Sequence, residues 1–318
     1  MIVISEDRAR ELVGVQDALD AVERCFSSMA LGSAKNLPVV REKLGYQDAV
    51  FGVKSGVDVS NPLLGLKAGG YWPHNATKGM GNHQSVTVLF DPDTGQAEAV
   101  VSANYLTGVR TGAASAIATR WLSRTDSQVL ALIGAGVQAG YQLEATVAVR
   151  DIKHVKAWDP SAANLERLGR KVRELGLTYE TAHDVQRAVE TADIVITVTP
   201  SSTALVQDEW VKPGTHINAM GADTRGKQEL DPKLVARSAL YYDELLQSIE
   251  IGECQHAWSA GLIKNSSFRG SLGDVINDVS TGRLNNDEVT LFDGTGVGLQ
   301  DLVVAQIAVG KVRKSQKS

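Results

Sequence analysis

The chain has 318 residues, of which 43% are hydrophobic and 22% charged, a composition typical of a globular protein with about two domains. Its formal net charge of −5 provides no basic field that could recruit nucleic acid. No apolar stretch reaches the roughly 18 residues needed to span a bilayer, and residues 1–7 lack the basic head of a signal peptide. We therefore expect a cytoplasmic protein with neither a nucleic-acid nor a membrane partner.

The first third of the chain combines helices with a run of strands. A helix start is predicted at Ser5-Glu6-Asp7, and residues 15–31 have the apolar spacing of a second helix. Between residues 36 and 101 the pattern changes to strands, with candidates over 49–54, 63–68, 85–90 and 96–101. The last two are joined by Asp91-Pro92-Asp93-Thr94-Gly95, a turn sequence. This region predicts an antiparallel or mixed sheet in an α+β domain.

The second half of the chain alternates strands and helices. An alanine-rich helix over 106–122 precedes predicted strands over 129–133, 154–158, 178–181, 192–199, 216–220 and 238–242. Helices are predicted between them over 162–175 and 184–190. Continuous apolar strands that alternate with helices indicate a parallel sheet covered on both faces. The predicted fold class is α/β, a Rossmann-type doubly wound sheet plus a second α+β domain.

A glycine-rich turn follows the first of these strands. Gly134-Ala135-Gly136-Val137-Gln138-Ala139 has the G-x-G-x-x-A pattern between a buried strand and a helix. The first glycine permits the tight turn, the second lets a pyrophosphate approach the backbone, and the small last residue permits close helix packing. Helix N-termini attract anionic groups. The motif therefore predicts a dinucleotide site.

Asp159 ends the next predicted strand, 25 residues after Gly134. A carboxylate at about this spacing accepts hydrogen bonds from the adenosine ribose 2′-hydroxyl and repels a 2′-phosphate, so NAD is favoured over NADP. The alternative is that Asp159-Pro160-Ser161 only caps the helix that starts near Ala162, because Asp and Ser are favoured at that position. The two roles are compatible.

Small or polar residues follow three of the strands in the second half. They include Thr199, Ser201, Gly221 and the glycine-rich turn. Because ligands of open parallel sheets bind beyond the carboxyl ends of the strands, we expect these residues to line one cofactor cleft. Asp223, just past the strand over 216–220, is the best acid–base candidate there, although it could be a structural turn residue.

Candidate substrate-binding cations lie in the first half. Lys67 ends an apolar strand among residues too small to shield it, a setting in which a lysine can polarise a carbonyl or imine. Arg41 and Arg110 carry planar forks suited to carboxylates. His83 could contact substrate or cap a strand. A surface role is the alternative for Lys67.

Other motifs carry less chemistry. Cys25 and Cys254 match no metal-ligand spacing, so no metal is expected, and His256 is interpreted as structural. The segment over 292–298 is a second glycine-rich loop that contains Thr295 but lacks the Lys-Ser/Thr ending of a P-loop.

Taken jointly, several motifs resemble the ornithine cyclodeaminase/μ-crystallin family over nearly the whole chain. They are Gly65-Leu66-Lys67, Gln84-Ser85, Leu106-Thr107 with Arg110-Thr111, Gly134-Ala135-Gly136, Met220-Gly221-Ala222-Asp223 with Gly226-Lys227, and Phe292-Asp293 with Gly296 and Asp301. The resemblance implies a homodimeric NAD(P)-dependent enzyme that forms or reduces imines of amino acids. It implies a substrate and dimerisation domain over 1–115 plus 300–318, and an NAD-binding domain over 116–299.

The resemblance also implies roles for individual residues. Lys67, Arg110 and Arg41, with His83, would hold the substrate carboxylate and imine, and Asp223 would donate or accept a proton. Cofactor contacts are expected from Ser85, Arg110, Thr111, Gly134, Gly136, Val137, Gln138, Asp159, Thr199, Ser201, Met220, Gly221 and Thr295.

Two departures bear on the substrate. Ornithine cyclodeaminases have cysteine where this chain has Thr224 and serine where it has Gly294, which argues against ornithine. Through residues 68–73, 82–85, 226–230 and 248–257 the resemblance instead implies NADH-dependent reduction of iminosuccinate to L-aspartate. A dicarboxylate also suits the cationic anchors Arg41, Lys67 and Arg110. The alternatives are ketimine or pyrroline-2-carboxylate reduction, alanine dehydrogenation, ornithine cyclodeamination, or a non-catalytic crystallin-like protein.

Overall fold

The computed structural model describes residues 1–316. The α-helices within that range are α1 (Glu6–Leu12), α2 (Val15–Ala30), α3 (Asn104–Leu122), α4 (Val137–Val147), α5 (Ala162–Glu174), α6 (Val185–Val189), α7 (Pro232–Arg237), α8 (Leu245–Glu250), α9 (Gln255–Ser259), α10 (Leu272–Ile276) and α11 (Gly298–Ser315). The strands are β1 (Ile2–Ile4), β2 (Ala34–Asn36), β3 (Val40–Lys43), β4 (Val50–Asp58), β5 (Leu63–Tyr71), β6 (His83–Phe90), β7 (Ala97–Ser102), β8 (Val129–Ile133), β9 (His154–Trp158), β10 (Thr178–Thr181), β11 (Ile194–Thr197), β12 (Ser202–Val206), β13 (His216–Ala219), β14 (Gln228–Leu230), β15 (Ala239–Tyr242), β16 (Phe268–Ser271) and β17 (Thr290–Asp293).

The chain divides into two compact units. The first comprises Met1–Arg110 and Val297–Ser318, and the second comprises Thr111–Gly296. The last two residues of the range 300–318, which we assigned to the substrate domain, lie outside the described residues. No helix within residues 1–316 combines the length and apolar character that a membrane crossing requires.

The first unit is built on a mixed seven-stranded sheet. The strand order is β1-β7-β6-β5-β4-β2, and β3 also pairs with β4. Only the β1–β7 pair is parallel, so the sheet matches the predicted mixed arrangement. The hairpin between β6 and β7 turns through Asp91, whose side chain accepts hydrogen bonds from the backbone of Asp93 and Thr94.

Helix α11 packs closely on one face of this sheet. A Cβ atom at Gly56 would lie 2.8 Å from Cγ of Leu299, and one at Gly65 would lie 3.0 Å from Cδ2 of Leu302. Cβ contacts this short are rare in proteins, so the two glycines permit the close approach of the helix to the strands. The first turn of α11 is thereby held against the middle of β4 and β5.

The second unit contains the predicted parallel sheet. Its eight strands run in the order β10-β9-β8-β11-β13-β17-β15-β16, and every pair is parallel. The chain moves outward from β8 through β9 to β10 and then returns to β11 on the other side of β8. This reversal creates a switch point beyond Ile133 and Thr197, which are paired in register. The Rossmann-type α/β class is confirmed.

One segment differs from its sequence interpretation. We treated residues 292–298 as a glycine-rich loop, but Phe292 and Asp293 complete the buried strand β17 between β13 and β15. The strand is only four residues long and ends in a carboxylate, so neither length nor apolar character marks it in the sequence.

Candidate active site

The first unit brings two lysines together in the middle of its sheet. Lys54 on β4 pairs directly with Lys67 on β5, which in turn pairs with Thr87 on β6. Directly paired residues project to the same face, and alternate residues along a strand share that face. Lys67 therefore lies on the face that α11 covers at Gly65. Both lysines are buried, which rejects the surface alternative for Lys67.

A second row of paired residues on the same face lies two positions from the Lys54–Lys67 pair. Arg41 on β3 pairs with Gly52, Gly52 with Gly69, and Gly69 with Ser85. Because Gly52 and Gly69 have no side chains, only backbone atoms cover the sheet between Arg41 and Ser85. The backbone N–H of Ser85 donates to the side-chain oxygen of Asn104 at 2.8 Å, which fixes the start of α3 to β6.

A single buried carboxylate organises the cations. Asp301, in the first turn of α11, accepts hydrogen bonds from Nζ of Lys67 at 3.1 Å and from Nε of Arg110 at 3.0 Å. Nη1 of Arg110 also donates to the side chain of Gln300 at 3.0 Å. Burial alone would raise the pKa of Asp301, but Arg110, Lys67 and Lys54 outweigh it and lower that pKa. The carboxylate is therefore held ionised.

His83 lies in the same electrostatic environment. Burial, followed by the positive charges of Lys67, Arg110 and Arg41, lowers its pKa to about 4, and Asp301 opposes the shift only in part. The imidazole is therefore neutral at physiological pH and can donate or accept a hydrogen bond. The structure thus brings Arg41, Lys67, His83, Ser85 and Arg110 together within one unit.

The glycine-rich turn in the second unit has the geometry that a dinucleotide needs. Gly134 has φ +97°, which favours glycine, and a Cβ there would lie 2.9 Å from Cγ2 of Thr199. Within residues 1–316 no atom lies within 4 Å of the position that a Cβ at Gly136 would take, so that glycine leaves space for a ligand. The side-chain oxygen of Gln138 is buried without a hydrogen-bond partner among those residues. These features fit a bound dinucleotide.

Asp159 connects the glycine-rich turn to helix α5. Its Oδ2 accepts from the backbone N–H of Ala135 at 2.7 Å, and its Oδ1 accepts from the backbone N–H of Ser161 at 2.8 Å. Ser161, rather than Asp159, caps the helix through a bond from the backbone of Asn164. The carboxylate lies beside the turn, as a ribose contact requires, and the ribose role itself stays a prediction.

The other predicted cofactor residues cluster at the carboxyl ends of the parallel strands. Thr199 follows β11, and Met220 and Gly221 follow β13. Ser201 bonds to Thr203 of its own turn. Asp223 accepts from Nζ of its neighbour Lys227 at 2.7 Å and from Oγ1 of Thr224 at 3.1 Å.

The remaining predicted residues occupy mixed positions. Oγ1 of Thr295 donates to buried Asp243 at 2.7 Å, and Thr111 is buried in α3. Val137 is exposed at the start of α4. Nε2–H of His256 donates to the backbone oxygen of Lys227 at 3.0 Å, within the second unit. Within residues 1–316 no cluster of three His, Cys, Asp or Glu side chains could hold a metal ion.

Sequence reasoning missed two residues of the cationic site as functional groups. Asp301 appeared only as part of a motif, and Lys54 was not considered. One signal for Asp301 was available, because a lone carboxylate precedes the apolar run Leu302-Val303-Val304 in a helix. A buried carboxylate needs a compensating cation or hydrogen-bond donors.

Replacing Asp301 by asparagine tests whether the carboxylate stabilises the buried cations. Asp301→Asn leaves Lys67 and Arg110 buried without their shared counter-ion, and breaking a buried pair costs about 3–5 kcal/mol. We expect a loss of this size in the free energy of unfolding, measured by urea denaturation. The control is Lys311→Met, because Lys311 also lies on α11 and forms a partly exposed ion pair with Asp17. Loss of this pair should lower the free energy of unfolding by less than about 1 kcal/mol. Equal losses would contradict this account.

The depressed pKa of His83 predicts a pH-dependent stability. In the unfolded chain His83 takes up a proton near pH 6.5, whereas the folded protein resists protonation until about pH 4. Stability should therefore fall as the pH decreases from 6.5 towards 4. In His83→Gln the loss between pH 7.5 and 5 should be smaller than in the wild type by about 1–2 kcal/mol. Identical pH profiles would show that His83 is protonated equally in both states.

Comparison with known proteins places these features in a family. The model of the ornithine cyclodeaminase/mu-crystallin family matches residues 2–316. The chain is 48% identical over 309 residues to an iminosuccinate reductase of Paracoccus denitrificans, covering 97% of this chain and 96% of the relative. It is 35% identical to an alanine dehydrogenase of Archaeoglobus fulgidus, covering 96% and 93%.

Solved structures agree with this assignment. The crystal structure of the Paracoccus denitrificans iminosuccinate reductase in complex with NAD+ superposes with a TM-score of 0.94 at 47% identity, covering 99% of this chain and 97% of the other. A Thermococcus litoralis Δ1-pyrroline-2-carboxylate reductase with NADH and L-proline has a TM-score of 0.96 at 30% identity, covering 99% and 98%. The resemblance inferred from the motifs is confirmed, and the chain belongs to the ornithine cyclodeaminase/mu-crystallin family.

Proposed function

We propose that this protein is an NADH-dependent oxidoreductase that reduces iminosuccinate to L-aspartate. The observation that carries the proposal is the cation-rich face of the first unit. Within residues 1–316 the strongest charge effects on His83 and Asp301 come from four cations, Arg41, Lys54, Lys67 and Arg110, and on His83 also from one anion, Asp301. A substrate with two carboxylates would offset this excess. The relative from Paracoccus denitrificans, 48% identical over nearly the full length, supports the same substrate.

The cofactor site accommodates a dinucleotide through the chain's own backbone. Gly134 and Gly136 would leave room for the pyrophosphate at the start of α4, and Gln138 offers an unsatisfied acceptor for a hydroxyl or amide donor. Asp159 would accept from the adenosine ribose and disfavour a 2′-phosphate. The chemistry that bound NADH supplies is a hydride for the imine carbon.

The substrate residues would bind the carboxylates and transfer the proton. Arg41 and Arg110 would orient the two carboxylates, because a guanidinium fork binds carboxylate in a fixed plane. Asp301 holds Nε of Arg110, so that plane is set before substrate arrives. Lys67 would polarise the imine or donate a proton near its nitrogen. Asp223, paired with Lys227, would exchange that proton with solvent.

The cation excess also weighs against the rival substrates. Pyruvate imine and pyrroline-2-carboxylate each carry one carboxylate and would leave more of the buried positive charge uncompensated. Ornithine adds a second ammonium, which the lysines and arginines of this face would repel.

Steady-state kinetics tests the substrate assignment. NADH oxidation should show a higher kcat/KM with oxaloacetate plus ammonia, which form iminosuccinate, than with pyruvate plus ammonia or with pyrroline-2-carboxylate. A preference for either monocarboxylate would refute the dicarboxylate assignment. Absence of NADH-linked turnover with all three would favour the non-catalytic alternative.

Two single variants test the proton-handling residues. We expect Asp223→Ala and Lys67→Ala to lower kcat by about 10²–10⁴, the usual contribution of a positioned acid or base. The affinity for NADH, measured by quenching of protein fluorescence, should remain close to that of the wild type. A variant with near-normal turnover would remove its residue from the mechanism, and Lys311→Met serves as the control for a lost surface lysine.

We also propose that the protein works as a homodimer through the β3–β4–β5 side of the first sheet. Val40 and Phe51 on the same face of this sheet, and Leu44 just after β3, are exposed and form an apolar patch that a second copy of the chain would cover. An archaeal alanine dehydrogenase of known structure, 33% identical with a TM-score of 0.94, is described as a dimer. A molar mass of one chain in solution, measured by light scattering, would contradict this assignment.

A further inference from the structure

We propose that Glu229 is a positioning residue that fixes the two loops which hold the nicotinamide half of the cofactor. The inference rests on the proposed cofactor contacts of Thr199 and Gly221. These residues follow β11 and β13, on the opposite side of β8 from Asp159, so a dinucleotide with its adenosine ribose at Asp159 would place its nicotinamide half beside them. The inference is independent of the proposed substrate. Glu229 lies on the short strand β14 and is fully buried. It carries no role in the reaction described above.

The Glu229 carboxylate binds the ends of two neighbouring parallel strands at once. Its Oε1 accepts from the backbone N–H of Thr199 at 2.6 Å, and its Oε2 accepts from the backbone N–H of Gly221 at 2.9 Å. Oε2 also accepts from Oγ1 of Thr197 at 2.7 Å. Thr197 ends β11, and Gly221 lies two residues beyond β13. One side chain therefore sets the distance between the two loops.

The same loops are packed against the glycine-rich turn. A Cβ at Gly134 would lie 2.9 Å from Cγ2 of Thr199. A Cβ at Gly221 would lie 2.5 Å from the backbone oxygen of Thr199 and would overlap the Glu229 carboxylate. The Thr199 loop thus packs against both the turn and the Gly221 loop. The Glu229 carboxylate bonds to Thr197, Thr199 and Gly221, so a shift of Glu229 displaces these two loops directly and the turn only by way of the Thr199 loop.

The backbone of Glu229 is fixed by a second buried carboxylate, whose own backbone is fixed by a third. The backbone N–H of Glu229 donates to Glu253 at 2.9 Å, and the backbone N–H of Glu253 donates to Asp293 at 3.1 Å. Each carboxylate in this series fixes the backbone of the one before it, from the end of β17 to β14. Burial, and then the neighbouring Glu229 charge, raise the pKa of Glu253 well above its ordinary value.

The donor pattern explains why a carboxylate is needed. Both backbone groups that Glu229 binds are donors, so both of its oxygens must accept. A glutamine has the same shape but would direct its NH₂ group at one of these N–H groups, which repels that loop and leaves a buried donor unsatisfied. Glu229→Gln therefore changes the loop spacing with little change in volume.

Binding of two ligands separates positioning from general stability. We expect Glu229→Gln to weaken NADH binding at least tenfold in isothermal titration calorimetry. Its affinity for ADP-ribose, which lacks the nicotinamide, should stay within twofold of the wild type. Equal weakening for both ligands, or no weakening for either, would overturn the inference.

The matched control is Asp193→Asn, another buried carboxylate of the second unit. Asp193 accepts from the backbone N–H groups of Gln128 and Val129, at the opposite, amino-terminal edge of the same sheet. We expect a lower melting temperature but an unchanged affinity for NADH. If the control weakened NADH binding as much as Glu229→Gln, the effect would be general destabilisation and the inference would fail.

Two further outcomes are distinguishable. If Glu229→Gln does not fold, Glu229→Asp is measured instead, because a carboxylate one methylene shorter cannot reach both loops and should show the same loss for NADH alone. If the wild type binds ADP-ribose but not NADH, the proposed function fails. If the wild type binds NADH and the variants match it, only the role of Glu229 is refuted.

Discussion

The first unit depends on one carboxylate that must balance more than one buried cation. Asp301 accepts hydrogen bonds from Lys67 and Arg110, and the charge of Lys54 also lowers its pKa. Removing charged groups from water is costly, so the cations are tolerated only because this carboxylate and its hydrogen bonds compensate them in part. The remaining positive charge is available to an anionic ligand. The charges that stabilise the first unit are therefore the same ones that we propose for substrate binding.

In the second unit, backbone groups rather than side chains are brought to the ligand. The parallel sheet reverses its winding between β8 and β11, and three loops meet beyond that point. Gly134 and Gly221 let these loops approach each other, and a buried carboxylate at Glu229 holds them apart by a fixed amount. Backbone N–H groups cannot be repositioned by rotamer changes, so their spacing must be built into the fold.

Much of this was predictable because its causes are local in sequence. The turn at Gly134 and Gly136, the alternation of strands and helices, and the individual cations all produce recognisable patterns within a few residues. The partner of Lys67 was not predictable in this way, since Asp301 lies 234 residues further along the chain. Strand β17 was missed because four residues ending in Asp293 show neither the length nor the apolar run of a central strand. The competing roles of Asp159 were left open, and the structure shows that Ser161 performs the capping.

The close seat of α11 on the sheet has an evolutionary consequence. Leu299 and Leu302 pack directly over Gly56 and Gly65, so a side chain at either glycine would meet the helix. That seat determines the direction in which Asp301 points and hence the orientation of Arg110. Selection for a new ligand can therefore act through glycines and leucines that never touch it, and homologues that differ at those four positions should diverge in the molecules they accept even where every charged group is retained.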